Sequence, residues 1–103
     1  MIKIKVSKEG NIFKNIVITG HANYSEYGKD IVCAAVSATV LTTINGIIAI
    51  DDSILDVEQK QDKMIINIKR ESDVSQILIS NMINCLNELV IEYPKNIKIE
   101  IGG

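Results

Sequence analysis

The chain has no tryptophan, and its 103 residues include one proline, one histidine, one phenylalanine and two cysteines. Each scarcity excludes something. One proline and no low-complexity tract leave little room for linkers, so a single domain over 1–103 is expected. One phenylalanine and three tyrosines offer few stacking platforms. The formal net charge is −2 and no basic block occurs, which argues against direct nucleic-acid binding. Two cysteines without an export signal point to free thiols in a reducing cytoplasm. His21 and Cys33 offer two ligands where structural zinc wants four, so no metal is expected.

Long uninterrupted apolar runs are also missing. Met1 to Val6 alternates lysine with apolar residues, unlike the continuous core of a signal peptide. Ile31 to Ile50 has the length of a membrane span, but Ser37, Thr39, Thr42, Thr43 and Asn45 break it, which argues against membrane insertion.

What is present is periodicity. Ile2, Ile4 and Val6 alternate with Lys3, Lys5 and Ser7, the period of a half-buried strand. Glu9-Gly10-Asn11 is a turn signal, and Ile12 to Thr19 completes a hairpin that ends at Gly20. Residues 21–29 read as a loop. Asp30 then reads as the N-cap of a helix over Ile31–Ile50, apolar nearly all round and so expected to be central or covered by a partner subunit. Asp51-Asp52 ends that helix in a solvated turn. Two more alternating runs, with Leu55-Val57 and Met64-Ile66-Ile68 on one face, flank a Gln61-Asp62-Lys63 turn. Ser72-Asp73 opens a second helix, with Asp73 and Gln76 approximating a capping box. Its apolar stripe runs Leu78, Met82, Cys85, Leu86, Leu89, which assigns Cys85 to the core, and Pro94 stops it. Ile97, Ile99 and Ile101 alternate as a last strand before Gly102-Gly103, read as a frayed end. The result is an α+β domain of ββαββαβ order, a mixed sheet packed against two helices.

The segment from Gly20 to Ser37 carries the chemistry. It holds the only histidine and one of the two cysteines. A thiol reacts as the thiolate. If Asp30 caps the helix, Cys33 lies in its first turn, where the macrodipole favours an anion and free N–H groups can bind an oxyanion. A cationic His21 nearby would favour the thiolate further. Ser37 follows one turn later on the same face. Asp30 is available to orient His21 instead of capping. On these residues alone a second reading stays open, because a cysteine among alanines is most often a small buried hydrophobe. Tyr24 and Tyr27 fit a substrate groove or an exposed loop equally well.

The run Gly20-His21-Ala22, followed after a short loop by Gly28-Lys29-Asp30-Ile31-Val32-Cys33-Ala34-Ala35-Val36-Ser37, resembles the signature of the ribosomal-processing cysteine protease Prp family of Firmicutes and related bacteria. Asn45-Gly46 also fits. The resemblance implies a cysteine endopeptidase that removes the N-terminal extension of a large-subunit (50S) ribosomal protein during ribosome assembly. The implied cut follows an apolar Phe-Phe-like pair and precedes Ala. Carried over residue by residue, Cys33 is the nucleophile and His21 the general base, with Asp30 and Ser37 at the remaining polar positions. The resemblance further implies a homodimer and no metal or organic cofactor. It also implies a substrate loop of Gly20, Ala22, Asn23, Tyr24, Ser25, Glu26, Tyr27 and Gly28, with Gly28 as hinge. The competing readings are a non-enzymatic peptide-binding module of ribosome assembly and a redox-sensing thiol protein.

Overall fold

The computed structural model describes residues 1–20 and 28–102, with residues 28–30 described as backbone alone. Its elements are β1 (Ile2–Glu9), β2 (Ile12–Thr19), α1 (Gly28–Ile50), β3 (Leu55–Lys60), β4 (Lys63–Ile68), α2 (Asp73–Glu92) and β5 (Ile97–Gly102). The expected α+β order ββαββαβ is the observed one. The strands form one sheet in the order β3-β4-β2-β1-β5. Its neighbours are antiparallel except β1 and β5, which run parallel with Ile2 beside Ile97 and Val6 beside Ile101.

The alternation in the strands determines which face is covered. Ile2, Ile4 and Val6 of β1, Ile16 of β2, Ile66 and Ile68 of β4 and Ile97 of β5 are all buried. Register places them on one side of the sheet, where α1 and α2 lie against each other. α1 meets this face with Val32, Val36, Val40, Ile44 and Ile47, a stripe at three- and four-residue spacing. Ile31, Leu41, Ile48 and Ile50 on the rest of its surface stay exposed, so within one chain this helix is not enclosed.

Three local expectations are corrected. α1 begins at Gly28, not after Asp30, so Asp30 is a first-turn residue and not the N-cap. Lysine is a good helix former and acids are enriched in first turns, so Lys29-Asp30 continues the helix upstream. α2 is capped by Ser72, whose Oγ accepts from the Ser75 N–H at 3.1 Å. Gln76 is not part of a capping box. Its Oε1 accepts from the Phe13 N–H at 2.8 Å and its Nε2 donates to the Phe13 carbonyl at 3.0 Å, pinning α2 to β2. Cys85 is exposed, not core. The buried stripe of α2 is Ser75, Ile79, Met82, Ile83 and Leu86. At 3.6 residues per turn Cys85 lies about 100° round the helix from the centre of that stripe.

The turn glycines and the end of α2 follow expectation, and the end of β5 does not. Gly10 and Gly20 have φ of 62° and 84°, the left-handed region that only glycine adopts freely. α2 stops at Glu92, two residues before Pro94. Asp51 does more than end α1: it accepts from the Ser53 N–H and ion-pairs with Arg70, tying the end of α1 to the end of β4. Gly102 is not frayed but pairs with Ser7 in the sheet, and Gly103 lies outside the described residues.

The Gln76 clamp yields a measurable consequence. Gln76→Ala leaves the Phe13 N–H and carbonyl without those partners and should destabilise the fold by about 1–3 kcal/mol in urea denaturation. Gln76→Glu, which keeps the acceptor and loses the donor, should fall between wild type and the alanine variant.

Candidate active site

Burial of Val32 and Val36 fixes the rotation of α1 about its axis. That rotation turns Cys33 and Ser37, one helical turn apart, into a cleft of about 290 Å³ between α1 and the end of the sheet. Val36, Val40 and Leu41 complete the helical wall. Ile2 and Ile18 form the floor. The β3–β4 hairpin supplies the opposite wall with Gln59, Gln61, Asp62, Lys63 and Met64. Cys33 is half-buried, packs against the core and is not in a disulfide. The cleft is therefore apolar inside and polar along the hairpin, a lining suited to an apolar side chain on a peptide whose backbone needs hydrogen bonds.

Gly20 closes one end of the same cleft. Its φ of 84° is accompanied by close packing, because a Cβ at this position would run into the Met1 carbonyl oxygen. The Gly20 N–H donates to the Asp62 carbonyl at 3.3 Å. Glycine is thus held between the start of β1 and the β3–β4 turn, and any side chain there meets backbone. Gly20 and Cys33 thus line one cleft, and the residue that follows Gly20 in the sequence is His21.

His21, Ala22, Asn23, Tyr24, Ser25, Glu26 and Tyr27 lie outside the described residues, as do the side chains of Lys29 and Asp30. Gly28 itself is the first residue of α1, which takes it out of the loop that the sequence suggests. The earlier start of α1 also shifts the electrostatics. A helix leaves its first four N–H groups without intrahelical acceptors. Among the described residues those belong to 28–30, and Cys33 stands in the second turn. Among the described residues no three His, Cys, Asp or Glu side chains converge as a metal site.

The hairpin wall was not legible as part of a site. Gln61-Asp62-Lys63 carries a turn signal and nothing more. Only the pairing of β4 with β2, which sets Met64 opposite Ile18, brings that turn to Cys33.

A sequence profile of the cysteine protease Prp family matches residues 1–98. The ribosomal processing cysteine protease Prp of Staphylococcus aureus is 30% identical over 101 residues, covering 95% of this chain and 94% of its own length. The protein of that name from Bacillus subtilis is 30% identical over 89 residues, 80% of each chain. Two solved structures of the S. aureus protease share the fold. The complex with a covalently linked product peptide gives a TM-score of 0.89 over 98% of this chain and 99% of that one, at 27% identity. The complex with a substrate peptide gives 0.86 with the same coverage, at 26% identity. A thiol lining a cleft, on a fold and sequence shared over nearly the whole length, places this chain in the cysteine protease Prp family.

Proposed function

We propose that this protein is a cytoplasmic endopeptidase that removes the N-terminal extension of a large-subunit ribosomal protein during ribosome assembly, cutting after a Phe-Phe-like pair and before Ala. The observation that carries this reading is Cys33 in a mainly apolar cleft that Gly20, the residue before His21 in the sequence, also lines. The interior formed by Ile2, Ile18, Val36, Val40 and Met64 suits a large apolar side chain before the scissile bond. Relatives named as ribosomal processing proteases, one of them solved with a covalently linked product peptide, support the same chemistry.

The reaction runs through a thioester. His21 takes the proton of the Cys33 thiol, and the sulfur attacks the scissile carbonyl carbon. The C–N bond breaks as His21 returns the proton to the leaving amine, and a water deprotonated by His21 then attacks the thioester and releases the carboxylate. With the helix beginning at Gly28, the capping role of Asp30 falls away and orienting His21 is the role that remains for it. Ser37, one turn from Cys33 on the same wall, offers its hydroxyl to the bound peptide.

The working unit is a homodimer. Ile31, Ala34, Ala38, Leu41, Asn45 and Ile48 are all exposed on α1 and recur at alternating three- and four-residue spacing. That is the pattern of a helix–helix seam, and a second copy of α1 would match it in both length and spacing.

Cys33→Ala should abolish cleavage of a peptide that carries the extension, by at least about a thousandfold in kcat/KM, while still binding it. Cleavage at the wild-type rate by that variant would sink the protease reading. Tight binding with no cleavage by the wild type would favour a peptide-binding module. Labelling with iodoacetamide should modify Cys33 faster than Cys85, although Cys85 is the more exposed thiol. The reverse order would mean that Cys33 is not activated. Ile48→Asp, which puts a charge in the seam, should convert the dimer to monomer in light scattering at micromolar concentration. An unchanged mass would move the interface elsewhere.

A further inference from the structure

The face of the sheet turned away from the helices carries an ordered pattern of charge. Lys98 of β5 is in register with Lys3 of β1, Lys3 with Thr19 of β2, Thr19 with Lys63 of β4, and Lys63 with Lys60 of β3. One straight row across all five strands is therefore lysine, lysine, threonine, lysine, lysine. With strands about 4.8 Å apart the row is about 19 Å long. The four lysines are exposed, and among the described residues no element covers them. The next row has alternating sign at the β5 side, with Lys5 opposite Glu100, and ends at Glu58. The row after that ends at Asp56. Positive charge is thus concentrated at one end of the open face, the end where Lys63 also borders the Cys33 cleft.

This arrangement is not explained by folding. Like charges directly opposite each other on neighbouring strands are destabilising, and Lys60–Lys63 and Lys3–Lys98 are such pairs. Lysines on edge strands discourage sheet-to-sheet pairing, which accounts for Lys60 and Lys98 but not for Lys3 and Lys63 on interior strands. The field of the row reaches its neighbours. Glu100 is held below the usual carboxyl range first by its hydrogen bond and ion pair with Lys98 at 3.2 Å, and then by the charges of Lys5 and Lys3. The helical side contrasts with it: α2 contains Asp73, Glu88 and Glu92 and no lysine or arginine.

We propose that the lysine row Lys98–Lys3–Lys63–Lys60 is a docking surface for the phosphate backbone of RNA, beside the cleft that cuts the ribosomal protein. The inference of a ribosomal setting rests on the function proposed above; the row itself does not. A straight line of one sign fits a polymer of evenly spaced charges, and 19 Å spans several phosphates of a strand that advances roughly 3.4 Å per nucleotide. The next two rows of this face hold Val17, Ile65, Asn15 and Asn67 between the charged residues already named, with no aromatic ring to stack a base and no protruding apolar side chain to enter a bilayer. Contact is therefore to phosphate and independent of sequence. It holds the protease on an RNA-rich particle while the cleft finds its peptide. Read along the chain, the four lysines at 3, 60, 63 and 98 form no basic block, and the net charge is negative. Only strand register assembles them.

The test is fluorescence anisotropy with a labelled 20-mer of oligouridylate at low salt. The expected result is salt-dependent binding with a slope of log K against log salt of about −2 to −3, corresponding to three or four neutralised phosphates. Lys3→Gln/Lys60→Gln/Lys98→Gln should weaken it at least tenfold and leave cleavage of a short peptide unchanged. Lys14→Gln/Lys69→Gln/Lys95→Gln, with the same change in net charge away from the row, should stay within about twofold of wild type. Equal loss in both triple variants, no binding by wild type, or row-dependent binding to phosphatidylglycerol vesicles but not to RNA would each overturn the proposal. Failure of the wild type to cleave the peptide would instead count against the proposed function.

Discussion

The packing of α1 on the sheet is the constraint on which the site depends. Five residues, Val32, Val36, Val40, Ile44 and Ile47, fix both the depth and the rotation of this helix. Cys33 and Ser37 each follow one of those anchors, so they are carried to the flank of the buried stripe, Cys33 half-buried and Ser37 exposed. A thiol at the centre would be inert packing, and one on the far side would sit in the exposed apolar seam. The flank is where a sulfur can be both shielded by the core and reached by a peptide. The same rotation leaves the opposite strip of α1 unburied, so the enzyme's need for a positioned thiol and the apolar surplus of its longest helix come from one packing decision.

The second wall depends on a glycine. Gly20 lies where β2, the first residue of the chain and the β3–β4 turn come closest, and a side chain there would push against the Met1 carbonyl. Because the reach of the hairpin wall toward Cys33 passes through this contact, the width of the cleft is fixed by backbone and not by rotamers. Side chains along the hairpin can vary in chemistry without changing how far the wall stands from the thiol.

Strands and their order were readable because alternation at Ile2-Ile4-Val6, Met64-Ile66-Ile68 and Ile97-Ile99 reports directly on one-sided burial. Helix positions were readable for the same reason, but their details were not. Asp30 carries a cap signal as strong as that of Ser72, and only the extra turn upstream shows that it is not used as one. Cys85 fits an apolar pattern that shares Met82 and Leu86 with the true stripe but contains the half-buried Leu78 and Leu89 where the stripe has Ile79 and Ile83. Cys33 was singled out by a long motif and lines the cleft, whereas Gln59, Gln61 and Met64 became part of the site only through pairing between strands far apart in sequence. The lysine row is the extreme case, since no local window contains more than two of its members.

The parallel pairing of β5 with β1 has a consequence for how the protein comes into being. Nearly the whole chain lies between Ile2 and its neighbour Ile97. The sheet's interior strand β1 therefore has a bare edge until the final strand is made and delivered over α2, and contacts of such long sequence separation form late and slowly. A nascent chain can assemble the β1–β2 hairpin early but not a finished sheet. During synthesis the molecule presents an open β1 edge, the kind that other chains can pair with. The interval before β5 docks is thus the period of greatest exposure to misassembly, and truncations that remove Ile97 and Ile99 would prolong it indefinitely.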